Sequence, residues 1–385
     1  MRPALWKVVS HLVTRTITTM DRAQSTPARG YPARQDRLPI DLAAVDTGWL
    51  QGVLRNRYPG ITITAMEVVE IIQGHTTKVR VALSSPDPVM LPRNLCLKSN
   101  WSGSPLSGEA NVNEARFYKD LCEGLQLPAP HCFYADWDDD EGGKQGLLVL
   151  EDMELWDGRF GTSAEPISIE QAMRGVAALA TLHASTWADP RLDAAGWLRR
   201  AMDPDHAGDD YWAMMADHYD RVNQLPERVA MFPSWYAAKP QKLREAWLQL
   251  CAHDLADTSP LCLVHGDAHL GNSFGLTDGG RLFLDWQIVR KGHPWRDYSY
   301  FAVGSITIAD RRTAERDLLR HYLSVLASHG IMIDFDPAWT EYRRWIVWGL
   351  VAWQSNINPK EATMPSLERF CAAAKDLQID ELYDL

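Results

Sequence analysis

Hydrophobic and polar positions follow two regimes along the chain. Up to about residue 150 the pattern is strand-like. Residues 61–72 and 78–83 are rich in β-branched side chains and predict two antiparallel strands around Gln73-Gly74-His75-Thr76-Thr77. Residues 94–98 predict a third strand that ends on a lysine. Residues 131–137 and 146–150 predict two more, with the acidic run 138–141 and Gly142-Gly143 as a solvated hairpin tip. Two helices belong to this half. One spans 46–57, with Asp46 or Thr47 as cap and Tyr58-Pro59-Gly60 as stop. The other spans 109–125 and carries Glu114, Phe117, Tyr118 and Leu121 on one stripe. From about Ser168 the period becomes helical, over 169–187, 208–224, 239–256, 309–329, 338–354 and 365–377. The predicted class is therefore α+β: an antiparallel sheet with a helix over residues 39–150, then a larger, mostly helical part over 151–385. Residues 1–38 read as a tail, rich in Arg, Pro, Ser and Gln from residue 21 on.

One stretch interrupts the helical regime. The apolar residues 261–264 read as a short buried strand, followed by His265, Gly266, Asp267, Ala268 and His269, with Asn272 five residues after Asp267. A turn at 277–280 leads to a second strand, Leu282-Phe283-Leu284, which runs into Asp285; residues 292–297 read as a loop. Two adjacent strands thus each deliver a carboxylate, with an asparagine in the loop between them. Phosphoryl transfer asks for this layout: a carboxylate to take a hydroxyl proton and oxygen ligands for magnesium. Asp267 is the candidate base, and Asn272 and Asp285 are the candidate metal ligands. Taken singly, a loop aspartate is usually a turn or cap residue, Asn272 beside Gly271 a turn, and His265 and His269 structural. The His-x-Asp-x-His cluster also admits a zinc hydrolase.

Lys98 adds weight to the first reading. A lysine at the end of a buried strand needs an anionic partner. Glu114, on the helix that follows, is the candidate, with Glu109 as second choice. The loop around Gly74 and Thr76 or Thr77 is the candidate cover for nucleotide phosphates, although one glycine in a hairpin is ordinarily only a turn.

HGDAHLGN followed by LDWQ resembles the aminoglycoside phosphotransferase and choline kinase superfamily, most closely its ecdysteroid-kinase-like branch, over about residues 40–360. The resemblance implies a protein-kinase-like two-lobed fold and ATP- and magnesium-dependent phosphorylation of a small-molecule hydroxyl. By it, Asp267 is the base, Asn272 and Asp285 hold magnesium, and His265 and His269 support the loop. It also implies that Asp297 braces the loop, that Lys98 and Glu114 serve the phosphates, and that adenine meets backbone groups near Glu151 and Met153. Asp285-Trp286-Gln287 stands where protein kinases have Asp-Phe-Gly, which argues against a protein substrate. His183, in Leu182-His183-Ala184, is expected to be a core histidine.

Composition narrows the partners. A net charge of −11 disfavours nucleic acid, and no apolar run approaches the length of a membrane span. Residues 1–19 are too interrupted by charge for a signal peptide. Six cysteines without a Cys-x-x-Cys pair suggest a reducing cytoplasm, with Cys96 and Cys262 as buried thiols. Sixteen tryptophans include Trp345 and Trp348, equally placed for the core or for the wall of a bulky, apolar acceptor. A nucleotide-binding protein without catalysis is the alternative from another class. No feature of the chain specifies an oligomeric state.

Overall fold

The computed structural model describes residues 36–74, 76–86, 92–101, 107–122, 125, 128–140, 143–203, 224–237, 239, 241–354 and 363–383. The predicted helix over 208–224 lies almost wholly outside them, as does nearly all of the predicted tail. The chain divides into two units. One runs up to Asp157 and takes back Asp285–Ile288; the other comprises Gly158–Leu284 and Val289–Leu385.

In the first unit, helix α1 (Thr47–Arg55) starts where the Asp46 carboxylate accepts the Trp49 N–H at 2.7 Å. Five strands follow: β1 (Ala65–Ile72), β2 (Thr77–Ser84), β3 (Asn94–Ser99), β4 (Cys132–Asp140) and β5 (Gly143–Glu151). They form one antiparallel sheet in the order β1-β2-β3-β5-β4. Side chains alternate across a strand, so the sheet has two unlike faces. Val79, Val81, Leu95, Leu97, Leu147 and Val149 pack into a core with Leu50 and Leu54 of α1. On the opposite face Lys78, Lys98 and Leu148 stand side by side. Helix α2 (Ser107–Arg116) packs against this second face, close enough at Gly146 that a Cβ there would collide with the Asn111 carbonyl. Asn111 in turn accepts the Gly146 N–H at 2.8 Å.

Several expectations are revised here. The predicted helix over 109–125 is helical only to Arg116 and then widens to a π-turn over Phe117–Leu121, which brings Phe117 against Trp286. Asp138, Asp139 and Asp140 lie within β4, paired with Gln145, Lys144 and Gly143; Asp139 and Asp140 are exposed at the turn end of the β4–β5 hairpin, as expected, whereas Asp138 is not. Asp138 is buried because it accepts the Leu38 N–H at 2.7 Å. Leu38, grouped with the tail by composition, is itself only 2% exposed. The first strand begins at Ala65 rather than residue 61, and as the sheet edge it leaves Val68, Val69, Ile71 and Ile72 exposed.

In the second unit, helix α3 (Ile169–Ser185) opens with a capping box: Ser168 accepts the Gln171 N–H and the Gln171 side chain accepts the Ser168 N–H. Helices α4 (Gln241–Ala256), α5 (Trp295–Gly304), α6 (Ile308–Ser328), α7 (Phe335–Arg344), α8 (Ile346–Gln354) and α9 (Thr363–Asp376) supply most of the rest. Short strands β6 (Gly158–Phe160), β8 (Ser273–Leu276) and β9 (Arg281–Phe283) form a three-stranded sheet, and β7 (Cys262–Val264) pairs with β10 (Arg290–Gly292). The predicted loop over 292–297 is instead the end of β10 and the first turn of α5. The predicted helix over 338–354 is two helices that meet at Trp345. The first is amphipathic. The second is apolar around its circumference and buried on nearly all sides. Trp345, 1% exposed, belongs to the core, so it is not an acceptor wall. Among the described residues no helix is long and apolar enough to cross a membrane.

Helix α3 meets α5 at Gly175, where a Cβ would collide with the Phe301 ring. Two effects oppose each other in Gly175→Ala. Helix propensity favours alanine by about 1 kcal/mol, whereas overpacking costs about 1–3 kcal/mol. We expect overpacking to win, with a net loss of about 1–2 kcal/mol in urea unfolding. A gain in stability would mean that the α3–α5 contact yields to an added methyl group.

Candidate active site

The first unit contributes a buried charge cluster. Lys98, at the end of β3, is 2% exposed and has a sheet of apolar residues behind it. Such a charge persists only when paired. Its Nζ lies 2.6 Å from Glu114 Oε2 and 2.9 Å from Asp285 Oδ1. Burial pushes the lysine towards neutrality, but the carboxylates of Asp285 and Glu114 outweigh it and hold its pKa above the ordinary value. Glu114 also ties down the segment that carries Asp285, since its Oε1 accepts the Trp286 N–H at 3.1 Å. Trp286 then stacks on Phe117, ring centroids 4.3 Å apart. Asp285 sits at φ 66°, a conformation costly for any side chain but glycine, and such strain persists where the surroundings over-determine it. Its side chain remains 28% exposed. Lys78 Nζ stands 3.9 Å from its other oxygen.

The second unit contributes the loop from β7 to β8. Asp297, fully buried at the start of α5, accepts the His265 N–H at 2.6 Å and the Gly266 N–H at 2.9 Å. Gly266 has φ 86°, so the turn needs glycine here, and the next residue is Asp267. His183 Nε2 donates to the same Asp297 at 3.3 Å, while its Nδ1 accepts the Tyr322 hydroxyl at 2.7 Å. Burial alone would raise the Asp297 pKa; the hydrogen bonds donated by His183 and the Gly266 amide outweigh it and hold it below the ordinary carboxylate range. His265 Nε2 donates to the Leu284 carbonyl at 2.9 Å, so its Nδ1 is the acceptor, here for the Asp267 N–H at 3.2 Å. Asn272 Nδ2 donates to the Asp267 carbonyl at 3.1 Å and to Asp267 Oδ2 at 3.0 Å. His269 Nδ1 accepts the Gly271 N–H at 3.0 Å and its Nε2 points at Asp267 Oδ2 from 3.6 Å.

The sequence-predicted residues fall into these two groups. Lys98, Glu114 and Asp285 meet in the first unit; His265, Asp267, His269, Asn272 and Asp297 meet in the second. Glu109 stands apart, on Lys144 at 3.3 Å. Of the hydroxyls assigned to phosphate, Thr76 Oγ1 accepts the Gln287 side-chain amide at 3.0 Å and Thr77 Oγ1 donates to Gln73 at 3.1 Å. Both threonines are buried. The Glu151 N–H donates to the His131 carbonyl at 2.9 Å and the Met153 carbonyl accepts the Trp156 N–H at 3.1 Å, so these two groups are already used. Burial lifts the Glu151 carboxyl above its ordinary range. With both His265 nitrogens engaged, the zinc reading of His-x-Asp-x-His loses a ligand. Among the described residues no group of three metal-ligating side chains occurs.

Sequence reasoning passed over two supports. Arg296, buried beside Asp297, donates to the Gly266 carbonyl at 3.0 Å and the Ala201 carbonyl at 2.8 Å and lies 3.9 Å over the Trp348 ring. Thr186 accepts the Leu263 N–H at 2.9 Å. Their only signal was adjacency to Asp297 and His183. With Arg296 on its face and Trp247 at 5.8 Å, Trp348 is packed on more than one side.

An antiparallel sheet with a paired lysine and a helical unit with a braced His-Gly-Asp loop define a protein-kinase-like fold. The sequence model of the ecdysteroid kinase-like family matches residues 114–335, and the chain belongs to that family. No curated protein sequence matches it. Among solved structures it is similar to a macrolide 2'-phosphotransferase type I, with 18% identity over 86% of this chain and 97% of that one and a TM-score of 0.43. It is similar to a spectinomycin phosphotransferase in complex with ADP and spectinomycin, at 13% identity over 86% and 99% with a TM-score of 0.47. A choline kinase from Streptococcus pneumoniae shares 14% identity over 85% and 99%, with a TM-score of 0.45. At these values no substrate follows from them.

Replacing Asp297 by Asn tests the brace. It leaves the His265 and Gly266 amides facing a neutral group, and we expect a loss of about 2–4 kcal/mol at pH 7. Because the folded pKa of Asp297 is depressed, its contribution is present above the ordinary carboxylate range and lost as pH falls through the folded value. The gap between wild type and variant in urea unfolding should therefore close in acid. A gap independent of pH would assign the loss to packing alone.

Proposed function

We propose that this protein is an ATP- and magnesium-dependent phosphotransferase that moves the γ-phosphoryl group to a hydroxyl of a small molecule. The observation that carries the reading is the buried Lys98 held between Glu114 and Asp285. A structural ion pair needs one carboxylate; the second, partly exposed and on strained backbone, is the kind of group a metal-bound polyphosphate uses. Each candidate ligand is of the oxygen type that magnesium prefers. Asp285 offers carboxylate oxygen, and Asn272, with its nitrogen committed twice to Asp267, offers its amide oxygen. When bound, the ion would neutralise charge on the phosphates. Lys98 would pair with the phosphates beyond Asp285.

Asp267 is the base in this reading. Asn272 takes its Oδ2, so Oδ1 is the atom left to orient the acceptor hydroxyl and receive its proton as the hydroxyl oxygen bonds to the γ-phosphorus and the bond from that phosphorus to the bridging oxygen breaks, releasing ADP. The Asp297 brace and the neutral His265 fix the backbone on either side, which is the positioning that such a transfer mostly depends on.

The test is ATP turnover with magnesium against a panel of hydroxyl compounds, for wild type and Asp267→Ala. We expect one class of compound to gain a phosphate and the variant to lose about 10²–10⁴-fold in turnover while still binding ATP. Wild type that binds magnesium-ATP and phosphorylates nothing would favour a nucleotide-binding protein without catalysis. Zinc bound at stoichiometry, with no magnesium dependence, would overturn the assignment.

A further inference from the structure

Resting on the nucleotide reading above, we propose that Lys78 is a second phosphate-binding lysine, which engages the β- and γ-phosphates that Lys98 cannot serve alone. Lys78 lies on β2 directly opposite Lys98 on β3, and both ammonium groups face Asp285: Lys98 at 2.9 Å from Oδ1, Lys78 at 3.9 Å from Oδ2. Like charges placed directly opposite each other weaken a sheet. An exposed pair at the longer of these distances returns little stability. The arrangement therefore does nothing useful for folding.

It does matter for charge. Lys98 alone faces two carboxylates, so the buried cluster carries an excess negative charge that would repel a polyphosphate. Lys78 cancels that excess. It is also the cation with room to move. Its side chain is 41% exposed, against 2% for Lys98, so it can exchange Asp285 for phosphate oxygen without leaving a buried carboxylate unpaired. Asp285 keeps Lys98 and becomes available to the metal. The other cation on this face of β2, Arg80, is committed elsewhere: its Nε bonds both oxygens of Asp152 at 3.1 Å and its Nη1 bonds Glu70 at 2.8 Å. The sequence on either side of Lys78 supports the same placement. Thr76, two residues before it, is tied to Gln287, two residues after Asp285, so the two segments are held in register.

The experiment measures binding of AMP, ADP and ATP, each with magnesium, by calorimetry to the full chain as wild type, Lys78→Met and Lys78→Arg. An exposed side chain is replaced, so equal melting temperatures are expected and verify the fold. We expect Lys78→Met to weaken ATP about tenfold and ADP by less, to leave AMP unchanged, and to flatten the salt dependence of ATP binding. Lys78→Arg should restore most of the loss. Equal affinities of Lys78→Met and wild type for ATP would overturn the proposal, as would a loss of the same size for AMP. Wild type that binds none of the three nucleotides would instead overturn the nucleotide reading, and this inference with it.

Discussion

The structure depends first on a lysine that cannot be left alone. Lys98 sits where a β-sheet closes against a helix, and an unpaired ammonium there would cost several kcal/mol. Glu114 answers that charge and, through its second oxygen, holds the Trp286 N–H. The helix, the strand and the Asp285-Trp286 segment are therefore positioned by one carboxylate. Asp285 arrives beside Lys98 on backbone that an ordinary residue avoids. The hydrogen bond to Trp286 and the stacking of Trp286 on Phe117 keep it there. This also explains why a chain with Trp-Gln after the aspartate holds it without a glycine. Gln287 has its own task, a bond to Thr76 that a glycine could not make.

The second unit solves a different problem with the same physics. Two consecutive amides, those of His265 and Gly266, point into the protein interior and need an acceptor. Asp297 provides it, and its buried charge is offset by these amides and by His183. The result is a turn whose geometry is set from below, so that Asp267 projects from a rigid backbone. His265 contributes as a neutral spacer between Leu284 and Asp267, and Asn272 as a clamp on the carboxylate. Arg296 adds support by holding the Gly266 carbonyl. Rate by positioning, which phosphoryl transfer favours, asks for this stiffness.

Where the sequence misled, the cause was local pattern overridden by tertiary partners. Asp138 looked like a solvated tip residue because it opens an acidic run, but a backbone amide 100 positions upstream draws it into the sheet. Residues 292–297 looked like a loop because of Gly292 and Pro294; proline is in fact a good opening for a helix, and α5 begins just after it. The helix around Glu114 was predicted too long, because apolar periodicity does not distinguish an α-helix from one that widens to a π-turn to seat Trp286.

The sequence by itself determined the elements and the chemistry-bearing types: a strand that must end on Lys98, a helix that must bring a glutamate, and a His-Gly-Asp loop between two short strands. These follow from hydrophobic period and spacing, which are local. It also carried the family resemblance, because a short loop with several constrained residues leaves few substitutions open. Only the tertiary structure decided which glutamate meets Lys98, which amides Asp297 satisfies, which tautomer His265 adopts, and that Lys78 and Lys98 face one carboxylate from adjacent strands. Each of these depends on strand register and on contacts between residues up to 187 positions apart, and no local pattern encodes them.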